Sequence, residues 1–316
     1  MKWTALSIAG LLALTLTVPG LAQEAKPEAR TVMLKQKLTK ELKITDESTD
    51  VTTQTVTLTN GMVVQTQTET ESQLQVTEIL EVAEDGSATK VRVRWTHGTT
   101  ETIRSQMNQQ GQLVEGEPVT EASPHKGASV LHTWNAEKKA WENTLEKGDK
   151  EASKVKKQLT KKDPLANPLI PNREVKVGDK WDADEQGLKD FFGSPDAPKV
   201  TKATGKLKAE EIVEEEGAEY LRVSFEIVLT LDNMGKDLDA TSKGNYYFNI
   251  KEGRVALVEM EMGAALEDEH PELGKLAIAI EGTLAIEAAY GKVGDKDREP
   301  SKAEEEEEEE EGGMDG

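Results

Sequence analysis

The sequence predicts a mainly β protein: two curved, half-barrel-like antiparallel sheet units with a few short helices. Three observations carry this. Apolar residues recur at every second position over long runs, glycine-containing turns separate the runs, and β-branched threonine and valine fill them. Leu221, Val223, Phe225, Ile227, Leu229 and Leu231, for example, hold six successive odd positions. Such alternation sets one face of a strand in a core and the other in water.

The chain opens MKWTALSIAGLLALTLTVPGLAQEA, in which Lys2 precedes an apolar run from Ala5 to Val18 that Pro19-Gly20 ends. The run falls short of the roughly 20 residues that span a bilayer. Gly20, Leu21 and Ala22 include the small residues a signal peptidase reads, so residues 1–22 read as a secretory signal peptide. The expectation is an exported protein, periplasmic or extracellular, without stable membrane insertion. The chain has no cysteine, which excludes disulfides and a lipidated N-terminal cysteine. A chain this long can bury a sufficient core without cross-links.

Residues 23–118 form the first predicted β unit. Val32, Leu34, Leu38, Leu42 and Ile44 share even positions, and the stretch DVTTQTVTLTNGMVVQTQTETES carries an Asn60-Gly61 hairpin turn among its threonines. Val76 to Trp95 then runs strand, acidic turn with Gly86, strand. Residues 119–171 lose the alternation and are predicted as an irregular or helical connector. In it, NAEKKAWENTLEK reads as a short helix, Lys154 to Lys162 is a basic cluster, and Pro164, Pro168 and Pro171 space an extended segment.

Residues 172–291 form the second unit. Val175 and Val177 alternate, Gly178-Asp179 makes a turn, and Trp181 is delivered to the end of the core. A helix is predicted over 183–192, ended by Gly193-Ser194-Pro195. Leu207 to Phe225 repeats the strand, acidic turn, strand pattern of Val76 to Trp95, which suggests an internal duplication. Residues 292–316 form an acidic tail with eight consecutive glutamates from Glu304 to Glu311, a composition that cannot bury apolar area and reads as disordered. With a net charge of −21, nucleic acid and anionic membranes are poor partners; cations or a basic protein patch suit it better.

The search for chemistry is mostly negative. His97, His125, His132 and His270 lack partners at metal-binding spacing. Ser123, His125, Ser129 and His132 lie close in sequence but without a nucleophile elbow, and the histidines read as solvated loop residues. Glu267, Asp268, Glu269 and His270 are neighbours that cannot all face one ion, so they read as an acidic turn. Met260 and Met262 share a face with Ala256 and Val258 and read as core. Nucleotide-binding loops are missing, and thirteen aromatic residues in the whole chain argue against an aromatic-lined sugar cleft. No catalytic residue, metal ligand or cofactor is assigned.

The V-x-V-G-D-x-W pattern of Val175 to Trp181, after a proline connector and before alternating strands, resembles a family of exported bacterial proteins of unknown function associated with planctomycetes. SKGNYYFNIKEGRVALVEMEM, from Ser242 to Met262, is similar to that family's usual ending. In architecture the family resembles lipoprotein-carrier folds, in which a curved antiparallel sheet wraps an apolar cavity, and this implies an apolar ligand. The chain departs from those carriers in its acidic tail, its two-unit length and its lack of a lipid anchor.

The resulting expectation is a non-enzymatic binding module whose sheet face holds an apolar small molecule. Trp181, Phe225, Ile227 and Tyr246, on the concave face of the second unit, are the expected ligand-binding residues. One alternative is a structural or interaction protein of the cell envelope that engages a partner protein through its acidic tail. The other is an extracytoplasmic hydrolase.

Overall fold

The structure is a computed structural model and describes residues 30–160, 163–193, 198–233, 236–270 and 274–297. The predicted signal peptide and the glutamate run lie outside the described residues. The first half supplies β1 (Thr31–Leu34), β2 (Leu42–Leu58), β3 (Val63–Val82), β4 (Ala88–Met107), β5 (Leu113–Glu115), β6 (Val119–Ala122), β7 (Ser129–Asn135) and β8 (Ala140–Lys147). Helix α1 (Ser153–Thr160), β9 (Arg173–Lys176), β10 (Lys180–Asp182) and α2 (Glu185–Phe192) lead to the second half. There β11 (Lys199–Glu215), β12 (Ala218–Asn233), β13 (Lys236–Asn249), β14 (Arg254–His270) and β15 (Gly274–Lys292) follow one another as hairpins.

The fold is mainly β, as the alternation requires. Thirteen strands form one antiparallel sheet in the order β10-β11-β12-β13-β14-β15-β2-β3-β4-β7-β8, with β5 and β6 also paired to β4; β1 and β9 form a separate two-stranded ribbon. The two sequence units are fused through β15 and β2, which pair over the whole of β2, from Leu276↔Leu58 to Lys292↔Leu42.

The sheet curls without closing into a barrel. Helix α1 packs against β7 and β8 and α2 against β11, yet Lys157 of α1 donates to the Phe191 carbonyl of α2 at 2.8 Å. In a flat sheet, β7 and β11 would stand eight strand spacings apart, about 38 Å at roughly 4.8 Å each. Only a strongly curved sheet brings both helices to one meeting point on its inner face.

That inner face holds two cores. One joins Leu207, Val223, Phe225, Ile227, Tyr246 and Phe248 to Leu188 of α2 and to Val32, Leu34 and Val175 of the β1–β9 ribbon. The other joins Ile79, Val91, Val93, Trp95 and Val130 to Val155 of α1. Helix α2 lies within the predicted 183–192, with the Asp184 carboxylate capping Gly187 N–H at its start. Gly178, at φ 94°, occupies the turn before Trp181.

Residues 119–171 depart from the expected connector. β6, β7 and β8 extend the sheet, and the stretch predicted as a helix forms the β7–β8 hairpin instead. Trp134 and Trp141 stand directly opposite each other in it, and Lys139, at φ 49°, makes its turn. Cross-strand aromatic pairing and attachment to β4 outweigh the helix-forming alanine, glutamate and lysine of this segment.

Candidate functional site: the inner face between the two cores

Strand register shows what lies between the cores. In one row across the inner face, Ala203, Leu229, Ala240, Ala264 and Ile280 follow one another from β11 to β15. Met262, Ile278, Ile280, Leu284 and Ile286 are half-buried and belong to neither core. Among the described residues, no helix packs closely on β14, β15 or β2.

Beyond β15 the same face turns polar. Leu284 stands opposite Asp50, which stands opposite Glu71, which stands opposite Thr100; Ile280 leads likewise to Gln54, Gln67 and Arg104. The uncovered stretch is thus apolar on β14–β15 and polar on β2–β4. A concave surface of that make-up can hold a molecule with one apolar and one polar side, removing its apolar part from water at about 25 cal/mol per Å².

The polar wall is held in place by α1. Lys154 donates to Glu71 at 2.8 Å and to Gln73 at 2.7 Å. Burial raises the Asp50 carboxyl above its ordinary range, against a bond from Thr52 that lowers it. His125 is 3% exposed, stands edge-on to Trp95 with ring centroids 5.8 Å apart, and has Nε2 3.8 Å from Glu71. Burial lowers its pKa to about 4, so the ring is neutral at neutral pH.

Both histidines of this region differ from the sequence expectation of solvated loop residues. His125 and His132 are buried, because His132 alternates with Val130 on the inner side of β7 and His125 packs beneath Gly98, where a Cβ would strike Ser123. His132 Nδ1 is 2.9 Å from Asn143 Oδ1. The Ser129 hydroxyl donates to Glu146 at 2.8 Å, and that of Ser123 lies 3.4 Å from Thr100. His97 is half-buried, and the side chain of His270 lies outside the described residues. Among the described residues, no three His, Asp or Glu side chains form a metal-ligand group.

The structure brings Trp181, Phe225, Ile227 and Tyr246 together, in the core at the α2 end of the inner face. Ile227 and Tyr246 are 0% and 1% exposed, and the Tyr246 hydroxyl donates to the Leu169 carbonyl at 3.1 Å, tying the proline connector to the sheet. Trp181 is half-buried, with the Arg173 guanidinium 5.9 Å from its ring centroid. These four side chains fill the covered end of the face. The residues beyond them, Met262, Ile278, Ile280 and Leu284, were visible to sequence reasoning as alternating apolar positions; that no helix among the described residues covers them was not.

The opposite, outer face carries a groove of about 920 Å³. It crosses a row of alternating charge, Lys206, Glu226, Lys243 and Glu261, in which Lys243 pairs with Glu226 at 3.2 Å. Further along that face Lys43 and Arg94 hold Asp297 at 3.1 and 3.0 Å, fastening the segment after β15 to the sheet.

No family model matches the chain, and no curated protein matches it. A solved structure described as lipid–protein interactions in lipovitellin aligns over 83% of this chain and 27% of that one, with 9% identity and a TM-score of 0.43. The chain thus spans about a quarter of that protein's length. An outer membrane channel from Pseudomonas putida F1 aligns over 81% of this chain and 98% of its own, with 8% identity and a TM-score of 0.22. Both likenesses are too distant to bear on function.

Proposed function

We propose that this chain is a non-enzymatic binding module of the extracytoplasmic space that holds an amphiphilic small molecule on its inner face. The apolar part of the ligand lies against Met262, Ile278, Ile280 and Leu284, and its polar part faces Asp50, Glu71 and Arg104. One observation carries this reading. The sheet's apolar face continues past both cores, half-buried and uncovered by any helix among the described residues, and then changes to polar within the same rows.

Strand alternation provides the test. Ile280 lies on the inner face and exposed Ala279 on the outer face of the same strand. Purified protein is titrated with N-phenyl-1-naphthylamine, an apolar fluorescent probe. Saturable binding that Ile280→Glu removes and Ala279→Glu retains supports the reading, with circular dichroism verifying that both variants fold. Probe binding indifferent to Ile280→Glu, or absent in the parent protein, overturns it.

A further inference from the structure

A second concavity lies apart from the inner-face stretch and owes nothing to the amphiphile reading. It encloses about 530 Å³ between the β7–β8 hairpin, the β3–β4 turn and the connector around Asn167. Trp134 and Trp141 form one wall, their rings edge to face with centroids 5.8 Å apart and planes at 64°. Both are half-buried, so ring surface is left facing the cavity. Two of the chain's five tryptophans therefore meet in one place, although the chain as a whole is poor in aromatics.

The polar lining decides what such a wall serves. Lys35 and the amides of Gln36, Asn167 and Asn172 donate, and Asp85, Asp163 and the same amides accept. The carboxylates are held by their own turns: Asp85 Oδ1 accepts from Ser87 N–H at 2.9 Å, and Asp163 Oδ1 from Leu165 N–H at 2.9 Å. Each Oδ1 is thereby fixed in direction while the carboxylate keeps acceptor capacity. The Ser87 hydroxyl also holds the Asp85 carboxyl below its ordinary range, so it stays ionised.

A cation would find acceptors and ring faces here but also a lysine of its own charge. A purely apolar guest would take water from the second oxygens of Asp85 and Asp163 and from the Asn167 amide N–H groups without replacing its hydrogen bonds, since the turns engage only Oδ1 of each residue. Vicinal hydroxyls, each donating once and accepting twice, use both halves of the lining, while the C–H face of a sugar ring covers an indole. We infer that this cavity is a carbohydrate-binding site for a saccharide of one or two rings, with Trp134 and Trp141 as its stacking platform and Asp85, Asp163 and Asn167 as hydroxyl partners. A volume of about 530 Å³ falls within the usual range for small-molecule sites.

The experiment is a ligand-observed NMR saturation-transfer titration of the full chain. The probes are glucose, galactose, N-acetylglucosamine, cellobiose and chitobiose, with choline as the cationic comparison. At least one saccharide is expected to saturate, with affinity falling at least tenfold in Trp134→Ala and at least fivefold in Asp163→Asn. Trp134→Phe, which keeps an aromatic face, should retain most of the binding, and circular dichroism of Trp134→Ala verifies that its loss is not a loss of fold. Saturable binding of choline with none of the sugars, no saturable binding of any probe, or sugar binding unchanged in Trp134→Ala each overturns the assignment.

Discussion

Asp46 lies on β2, on the inner face between the two cores, with Ala288 and Gln75 as its neighbours across the sheet. Burial raises its carboxyl from an ordinary 3.8 to about 7. The sign follows from linkage. Between those values the folded chain keeps a proton that the unfolded chain has released, so stability falls as pH rises through that window and is level outside it. A shift of about 3 units at about 1.4 kcal/mol each sets a ceiling of about 4 kcal/mol. Asp46 is half-buried rather than sealed, and water screens part of this, so about 2 kcal/mol is expected. Asp46→Asn keeps the shape and removes the charge. It should be more stable than the parent by about 2 kcal/mol at pH 8 and by about half that near pH 4.5, because an effect screened to this size also ends its pH window well below 7, measured by urea unfolding. Equal stabilities at pH 8, or one difference at both pH values, would refute the reasoning.

Gly244→Ala should cost at least about 3 kcal/mol in the same assay, because its Cβ would overlap the Glu259 carbonyl and the Met260 backbone, neither of which can swing aside. Tyr246→Phe should cost about 1 to 3 kcal/mol, by leaving the buried Leu169 carbonyl without its donor. Asp297→Asn should loosen the segment after β15, seen as faster amide exchange over residues 293–297 at pH 7 and a loss of stability of about 1 kcal/mol, since Asp297 and Arg94 are only partly shielded from water while Lys43 is buried. The Arg94 bond holds the Asp297 carboxyl below its ordinary range. The parent's advantage is therefore complete above the ordinary carboxylate pKa and disappears as pH falls through the lower, folded value.

How much was legible in the sequence depended on whether the deciding interaction was local. Alternation over Leu221 to Leu231 and over Leu276 to Tyr290 fixed which side chains share a face, and β12 and β15 follow it. Helix α2 was readable from the Gly193-Ser194-Pro195 breaker that follows it. The β7–β8 hairpin was not, since its residues favour a helix locally and only the contact between Trp134 and Trp141 and the pairing with β4 reverse that preference. His132 could have been placed inside from its shared parity with Val130. The uncovered apolar stretch was half legible: parity put Ile278, Ile280 and Leu284 on the core side, but which strands the helices roof over is a long-range matter. The tryptophan-lined cavity was hidden for a related reason, because a chain-wide shortage of aromatic rings says nothing about where the few come together.

A barrel of hydrogen-bonded strands has a circumference set once and for all by its strand number and shear. This sheet has free ends at β8 and β10, and its wings are drawn together by contacts such as the one from Lys157 to the Phe191 carbonyl. Ten strand-to-strand steps lie between those ends, and a few degrees more or less at each would widen or narrow the hollow by several ångströms without breaking a ladder bond. The molecule is in this respect a sprung clip rather than a cup, and the width of its hollow need not be written into any single residue.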